Sequence, residues 1–236
     1  MTANYCRGKK SNYTIWNNQK TNTKFTGKGM DFIQTFKTYI ELHDYNEVYE
    51  ITAPTLSIHN LIIGTPYVDI GGSAVVRLLG ESELKCTINF TKRGYFSKEE
   101  FKCEGEVFQS GEGKKKSKKK HNQNLFKILG NWNSKIYVTE FNDAGKLDES
   151  SKVCVFEKNP YPEKWAYMYG MSHFSLQLNY FPNRLKNVVA PTDTRRRPDQ
   201  RYLEEGDMIN AAAEKDRLET KQRVVRKKRE AENIEH

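Results

Sequence analysis

The chain has 236 residues, 36% of them apolar and 29% charged, with a formal net charge of +9. That length allows one substantial core or two small ones, and the absence of any run of about 18 apolar residues excludes a membrane-spanning helix. Met1 leads into the polar stretch Thr2 to Ser11 rather than an apolar core with a cleavage site, so no secretory signal is expected. The four cysteines, Cys6, Cys86, Cys103 and Cys154, are scattered and lack metal-ligand spacing. They read as reduced thiols of a cytoplasmic protein.

From Tyr5 to Phe156 the chain consists of short β-branched and aromatic runs separated by Gly, Asn, Asp and Lys. This pattern predicts consecutive antiparallel strands. The clearest are Tyr13 to Trp16, Thr38 to Leu42, Val48 to Thr52, Ala74 to Leu79, Cys86 to Phe90, Phe101 to Phe108, Ile136 to Thr139 and Val153 to Phe156. In Tyr39-Ile40-Glu41-Leu42 odd and even positions differ in polarity, as expected of a strand with one wet and one buried face. Gly71-Gly72, Asn142-Asp143-Ala144-Gly145 and the insert Ser110 to Asn124 read as turns or loops. So many meandering strands predict a barrel or strongly curved sheet.

The insert carries Lys114, Lys115, Lys116, Lys118, Lys119 and Lys120, so most of the excess charge sits in one predicted hairpin loop. Its Gly111-Glu112-Gly113-Lys114-Lys115 is not a phosphate-binding P-loop: Phe108 stands where the first Gly is needed, and Lys115 where Ser or Thr would hold magnesium.

The pattern changes near Pro160. Trp165 to Leu178 has helix-compatible spacing, and Asn183 to Pro198 reads as extended. From about Gln200 to Glu232, Ala, Glu, Lys and Arg dominate, which predicts a polar helix with a narrow apolar face of Leu203, Met208, Ile209, Leu218 and Val225. Its stretch Lys221 to Arg229 holds six basic residues and no acid. Each basic run fits either a solvated surface or contact with an anionic membrane. Nucleic acid is not an expected partner, because Lys114 to Lys120 has no interleaved aromatics for stacking.

No catalytic constellation is present in the sequence. His43, His59, His121, His173 and His236 are isolated, and neither HExxH nor Gly-x-Ser-x-Gly occurs. His59 and His173, in apolar sequence surroundings, read as packing residues. The expectation is a non-enzymatic protein without cofactor or metal.

The segment Pro191-Thr192-Asp193-Thr194-Arg195-Arg196-Arg197-Pro198-Asp199-Gln200-Arg201-Tyr202-Leu203-Glu204-Glu205-Gly206-Asp207 resembles the C-terminal signature of the oxysterol-binding protein family. Further segments agree in the same order: Ala53-Pro54-Thr55-Leu56, Leu61-Ile62-Ile63-Gly64-Thr65-Pro66, Arg93-Gly94-Tyr95-Phe96-Ser97, Gly130-Asn131-Trp132 and Glu214 to Arg229. The resemblance implies a mainly β fold with α: a large antiparallel β-barrel, here incomplete, followed by C-terminal helices. It implies a single partial lipid-binding domain over residues 1–236, with barrel strands in 1–158 and a helical region in 159–236. The implied function is lipid binding and transfer between membranes, of a sterol, phosphatidylinositol 4-phosphate or both. The implied setting is cytoplasmic, with transient association at an anionic membrane surface. A membrane-surface or protein-interaction module without lipid extraction is the alternative.

Family members hold headgroup phosphates partly with a Lys, a Glu and an Arg spaced four residues apart on the C-terminal helix. The matching positions are Lys215, Glu219 and Arg223. Residues at i, i+4 and i+8 of a helix form one stripe about 12 Å long. Lys and Arg there can donate charge-assisted bonds to phosphate oxygens, and the Glu can orient both cations. On pattern alone the stripe is an ordinary ladder of surface ion pairs, worth roughly 0.3 to 0.5 kcal/mol each. The family fingerprint E-Q-V-S-H-H-P-P, which belongs immediately before a segment like Thr2 to Tyr5, does not occur in this sequence. The expectation is therefore either a shortened form with weakened transfer or a piece of a longer chain.

Overall fold

The computed structural model describes residues 2–8, 10–80, 84–93, 100–110 and 122–232. The chain divides into two compact units, Met1–Asn159 and Pro160–His236. Among the described residues no helix is long and apolar enough to cross a membrane.

Among the described residues the first unit is one antiparallel sheet of thirteen strands. In chain order they are β1 (Thr2–Gly8), β2 (Tyr13–Gln19), β3 (Thr21–Phe25), β4 (Met30–Gln34), β5 (Lys37–Leu42), β6 (Glu47–Thr52) and β7 (Thr55–His59). Then follow β8 (Tyr67–Leu79), β9 (Leu84–Phe90), β10 (Lys102–Ser110), β11 (Asn122–Asn131), β12 (Lys135–Phe141) and β13 (Leu147–Glu157). The spatial order is β1-β2-β5-β6-β8-β9-β10-β11-β12-β13, with a side lobe in which β3 pairs with β4, β4 with β7, and β7 with β8. Among the described residues the sheet is open, since β1 and β13 end the order and do not pair with each other.

The side lobe arises because consecutive strands continue past a short break. β2 runs through Lys20 into β3, and β6 runs through Ala53-Pro54 into β7. β8 is long enough to serve both parts: Tyr67 to Gly71 pairs with β7, and Val75 to Leu79 pairs with β6. Gly71-Gly72 is thus no turn but the point where β8 changes partners. Gly72 takes a positive φ of 91°, and a side chain at position 71 would collide with the Lys92 stem.

Elsewhere the turns act as their residues predict. Asn142 accepts through its side-chain oxygen from Ala144 N–H at 3.1 Å and Lys146 N–H at 3.0 Å, closing the β12–β13 hairpin. β10 and β11 are a hairpin from Ser110↔Asn122 to Lys102↔Asn131. The Lys114 to Lys120 run and the P-loop look-alike fall outside the described residues, as do His121 and His236.

Few side chains of this unit are fully enclosed. Among its described residues the buried apolar ones are Cys103 and Ile128, while Thr14, Ser57, Asp69 and Thr139 are buried and polar. Strand alternation therefore gives half-covered faces rather than a dry core. All four cysteines are free thiols, and burial pushes those of Cys86 and Cys103 up from their ordinary value.

The second unit corrects four sequence expectations. Trp165 to Leu178 is mostly turn, and only α1 (His173–Gln177) is helical, capped by Ser172. Tyr169 and Gly170 hold left-handed backbone there, which a continuing helix does not allow. The stretch from Asn183 to Pro198 is not extended but contains 3-10 turns at Asn183–Leu185 and Thr194–Arg196. The polar helix is two helices, α2 (Pro198–Glu204) and α3 (Met208–Ala231), because Gly206 adopts a φ of 81° and ends the first. His173 stands exposed at the start of α1 rather than in an apolar setting. His59 does pack, stacked on Tyr67 with ring centres 4.8 Å apart.

Candidate functional site

Within Pro191 to Asp207, Asp193, Arg195, Arg196, Arg197 and Asp199 are tied up in bonds to one another and to nearby backbone. Asp193 accepts from the Arg195 N–H at 2.9 Å and from its guanidinium at 2.8 and 2.7 Å. The Arg195 guanidinium beside it holds the Asp193 carboxyl down at about 2. Arg197 donates twice to Asp199, at 3.0 and 2.6 Å, and lowers that carboxyl as well. Arg196 donates to the carbonyls of Ala190 at 3.1 Å, Val189 at 3.2 Å and Lys186. Its guanidinium and that of Arg201 lie 5.5 and 5.8 Å from the centre of the Phe181 ring.

Each remaining signature residue has a mechanical task. Pro198 occupies the first turn of α2, where its missing N–H costs nothing. Gly206 supplies the positive φ after α2, and Asp207 accepts from the Asn210 N–H at 3.0 Å to cap α3. The segment is a built bracket that fixes where α3 starts, and α2 and α3 pack on one another with Ala211 buried.

Helix α3 carries the predicted stripe. Glu219 accepts from Arg223 at 3.1 Å and stands 4.0 Å from the Lys215 ammonium. The side chains of Lys215 and Arg223 are 67% and 64% exposed, so most of their donors face outward. These three residues are thus brought together on one face, as cation, anion and cation. Arg197, paired to Asp199 at the start of α2, feels the charge of Glu219 and adds a third positive group near the stripe. Sequence reasoning missed it because it belongs to the signature rather than to the i, i+4 series. The helix itself gains little from the pairs, which at this exposure contribute roughly 0.3 to 0.5 kcal/mol each. It rests on intrinsic propensity, the Asp207 cap and further pairs such as Arg226–Glu230.

In the first unit, Arg93 and the segment Gly130-Asn131-Trp132 have structural tasks. A side chain on Gly130 would strike the Lys135 carbonyl and Ile136 on β12. Asn131 donates to the Glu100 carbonyl at 2.9 Å, and Trp132 meets Phe101 edge-on at 4.8 Å. The Arg93 N–H donates to the buried Asp69 at 2.9 Å, and its guanidinium pairs with Glu100 at 2.8 Å. Gly94 to Ser97 lie outside the described residues. No group of three or more His, Cys, Asp or Glu among the described residues is placed to hold a metal ion.

Comparison with known proteins points to one family. The pattern of the oxysterol-binding protein family matches residues 1–236. Human oxysterol-binding protein-related protein 3 is 32% identical over 98% of the chain, and human oxysterol-binding protein-related protein 6 is 30% identical over all of it. These alignments cover 24% and 23% of the two relatives, so the chain spans about a quarter of their length. Among solved structures, the Osh1 ORD domain in complex with cholesterol superposes with a TM-score of 0.70 at 27% identity, over 95% of this chain and 53% of that one. The Osh3 ORD in complex with PI(4)P from Saccharomyces cerevisiae shares the fold, with a TM-score of 0.67 at 24% identity over 92% of this chain and 53% of that one. The signature bracket, the open antiparallel sheet and the full-length family match together show that the chain belongs to the oxysterol-binding protein family.

Proposed function

We propose that the chain forms part of one lipid-binding domain, the two units acting together, and serves lipid transfer between membranes from the cytoplasm, with transient contact at anionic bilayers. The observation that carries this reading is the Lys215, Glu219 and Arg223 stripe on α3. Its two cations are more than half exposed. Phosphate oxygens of a phosphoinositide headgroup would accept from Lys215 and Arg223, while Glu219 holds both cations in register and accepts from inositol hydroxyls. An open sheet with half-covered apolar side chains is suited to an apolar ligand, and the sterol complex of a relative 27% identical in sequence supports a sterol as the other cargo.

Extraction from liposomes is the test. The chain, mixed with vesicles carrying a fluorescent sterol or phosphatidylinositol 4-phosphate and then separated from them, is expected to carry lipid away. Lys215→Glu or Arg223→Glu is expected to abolish phosphoinositide extraction and spare the sterol. Loss of neither lipid from the vesicles would sink the reading.

A second reading is favoured by the exposed basic side chains of Arg226 and Lys228 farther along α3, 63% and 75% exposed. A surface module of this kind binds anionic vesicles in a salt-sensitive way without extracting lipid.

A further inference from the structure

The far end of the side lobe carries apolar residues that no part of the described structure covers. Two turns meet there. The β3–β4 turn is closed by a hydrogen bond from Thr26 N–H to the Gly29 carbonyl at 3.0 Å, and the β7–β8 loop by Asn60 donating to the Thr65 carbonyl at 3.2 Å. They are joined by Leu61 N–H donating to the Lys28 carbonyl at 3.0 Å. Gly29 lies so close to the Ile58 carbonyl that no side chain fits at that position. The two turns form one fixed tip, not a pair of loose loops.

Phe25, Leu61, Ile62 and Ile63 are on this tip, 59%, 43%, 66% and 84% exposed. Single exposed aliphatics are ordinary, but four on two joined turns make a patch. Lys24 and Lys28 flank it and are exposed. No acidic residue occurs from Lys20 to Met30 or from His59 to Val68. The nearest acids point inward: Asp31 accepts from the buried Ser57 at 2.6 Å, and Asp69 accepts from Ile70 N–H and Arg93 N–H, each at 2.9 Å.

We propose that this tip is a membrane-docking element: Ile62, Ile63, Leu61 and Phe25 enter the acyl boundary of an anionic bilayer while Lys24 and Lys28 meet its headgroups. The shape and chemistry both select a bilayer. The patch is a convex pair of turn ends, aliphatic at its summit and without an exposed polar anchor among the apolar residues, whereas protein partners are gripped by aromatic and Arg anchors set in pockets. Cations around an apolar summit match the layering of a lipid surface, with apolar groups reaching about 5 to 10 Å into it. The inference deepens the reading that the chain works at membranes, and it rests on residues that belong neither to the Lys215, Glu219 and Arg223 stripe nor to the basic stretch of α3.

Three variants of the full chain test it, each checked for native circular dichroism. Ile63→Trp, mixed with phosphatidylcholine–phosphatidylserine vesicles containing brominated acyl chains, is expected to show quenching beyond that of the parent protein. Ile62→Asp/Ile63→Asp is expected to lower the vesicle partition coefficient at least about tenfold, at positions too exposed to disturb folding. Lys24→Glu/Lys28→Glu is expected to lower it roughly twentyfold on anionic vesicles and to leave neutral ones unchanged. Unchanged partition of the double aspartate variant, or no added quenching in Ile63→Trp, overturns the proposal. So does self-association in the absence of lipid that the double aspartate variant abolishes, because the tip then serves a second copy of the chain. Lipid extraction is read separately in the same samples, so failure of the transfer reading leaves quenching at the tip intact and is distinguishable from failure of the tip.

Discussion

The bracket Pro191 to Asp207 and the helix α3 that it launches are equally rich in charge, yet they treat their charges in opposite ways. In the bracket, Arg195, Arg196 and Arg197 are bound to Asp193, to three backbone carbonyls and to Asp199. On α3, Lys215 and Arg223 hold a loose, exposed grip on Glu219. Charge-assisted bonds that are sheltered and doubly made contribute about 1.5 to 3 kcal/mol each, whereas exposed helix pairs contribute a few tenths. The residues that make the family recognisable are therefore those that hold its shape, and the residues proposed to meet the ligand look ordinary.

Breaking the bracket is expected to produce the largest loss. Arg197→Ala leaves the nearly buried Asp199 carboxylate without its partner and is expected to cost roughly 2 to 3 kcal/mol in urea denaturation. Asp193→Asn follows at about 2 kcal/mol, and pH should reproduce its effect. Because the folded carboxyl is held at about 2, below its ordinary value of 3.8, its contribution is fully present above that ordinary value and is lost as pH falls through the folded one. The denaturation midpoint of the parent protein should fall over that interval more than that of the Asp193→Asn variant. Gly206→Ala forces a side chain into left-handed backbone and is expected to cost about 1 kcal/mol, read as a lower thermal midpoint. Smallest of all, Glu219→Gln on α3 should change stability by less than about 0.5 kcal/mol while weakening phosphoinositide binding. A large stability loss from Glu219→Gln would erase the contrast between the two regions.

How much of this was legible in the sequence follows the same division. Alternation in Tyr39 to Leu42 and the turn residues Asn142 to Gly145 announced strands and hairpins, because these depend on neighbours in the chain. Strands β3, β4 and β7 escaped notice: they are short and rich in polar residues, and they exist only through pairing with one another and with β8. Gly71-Gly72 was misleading for a related reason, since a glycine pair marks a turn as readily as a strand that switches partners. The break at Gly206 was visible as a lone glycine, but helix propensity on both sides hid it. The i, i+4 spacing on α3 survived because helix geometry alone brings Lys215, Glu219 and Arg223 together. Arg197, brought near them by the fold of the bracket, had no such spacing to reveal it.

Extraction of phosphatidylinositol 4-phosphate by the parent chain and by Lys215→Glu, both shown to unfold at the same urea concentration, tests the central claim most directly. The account predicts that the parent removes the lipid from vesicles and that the variant, equally stable, leaves it behind. Equal extraction by both proteins would contradict it and return the stripe on α3 to an ordinary ladder of surface charge.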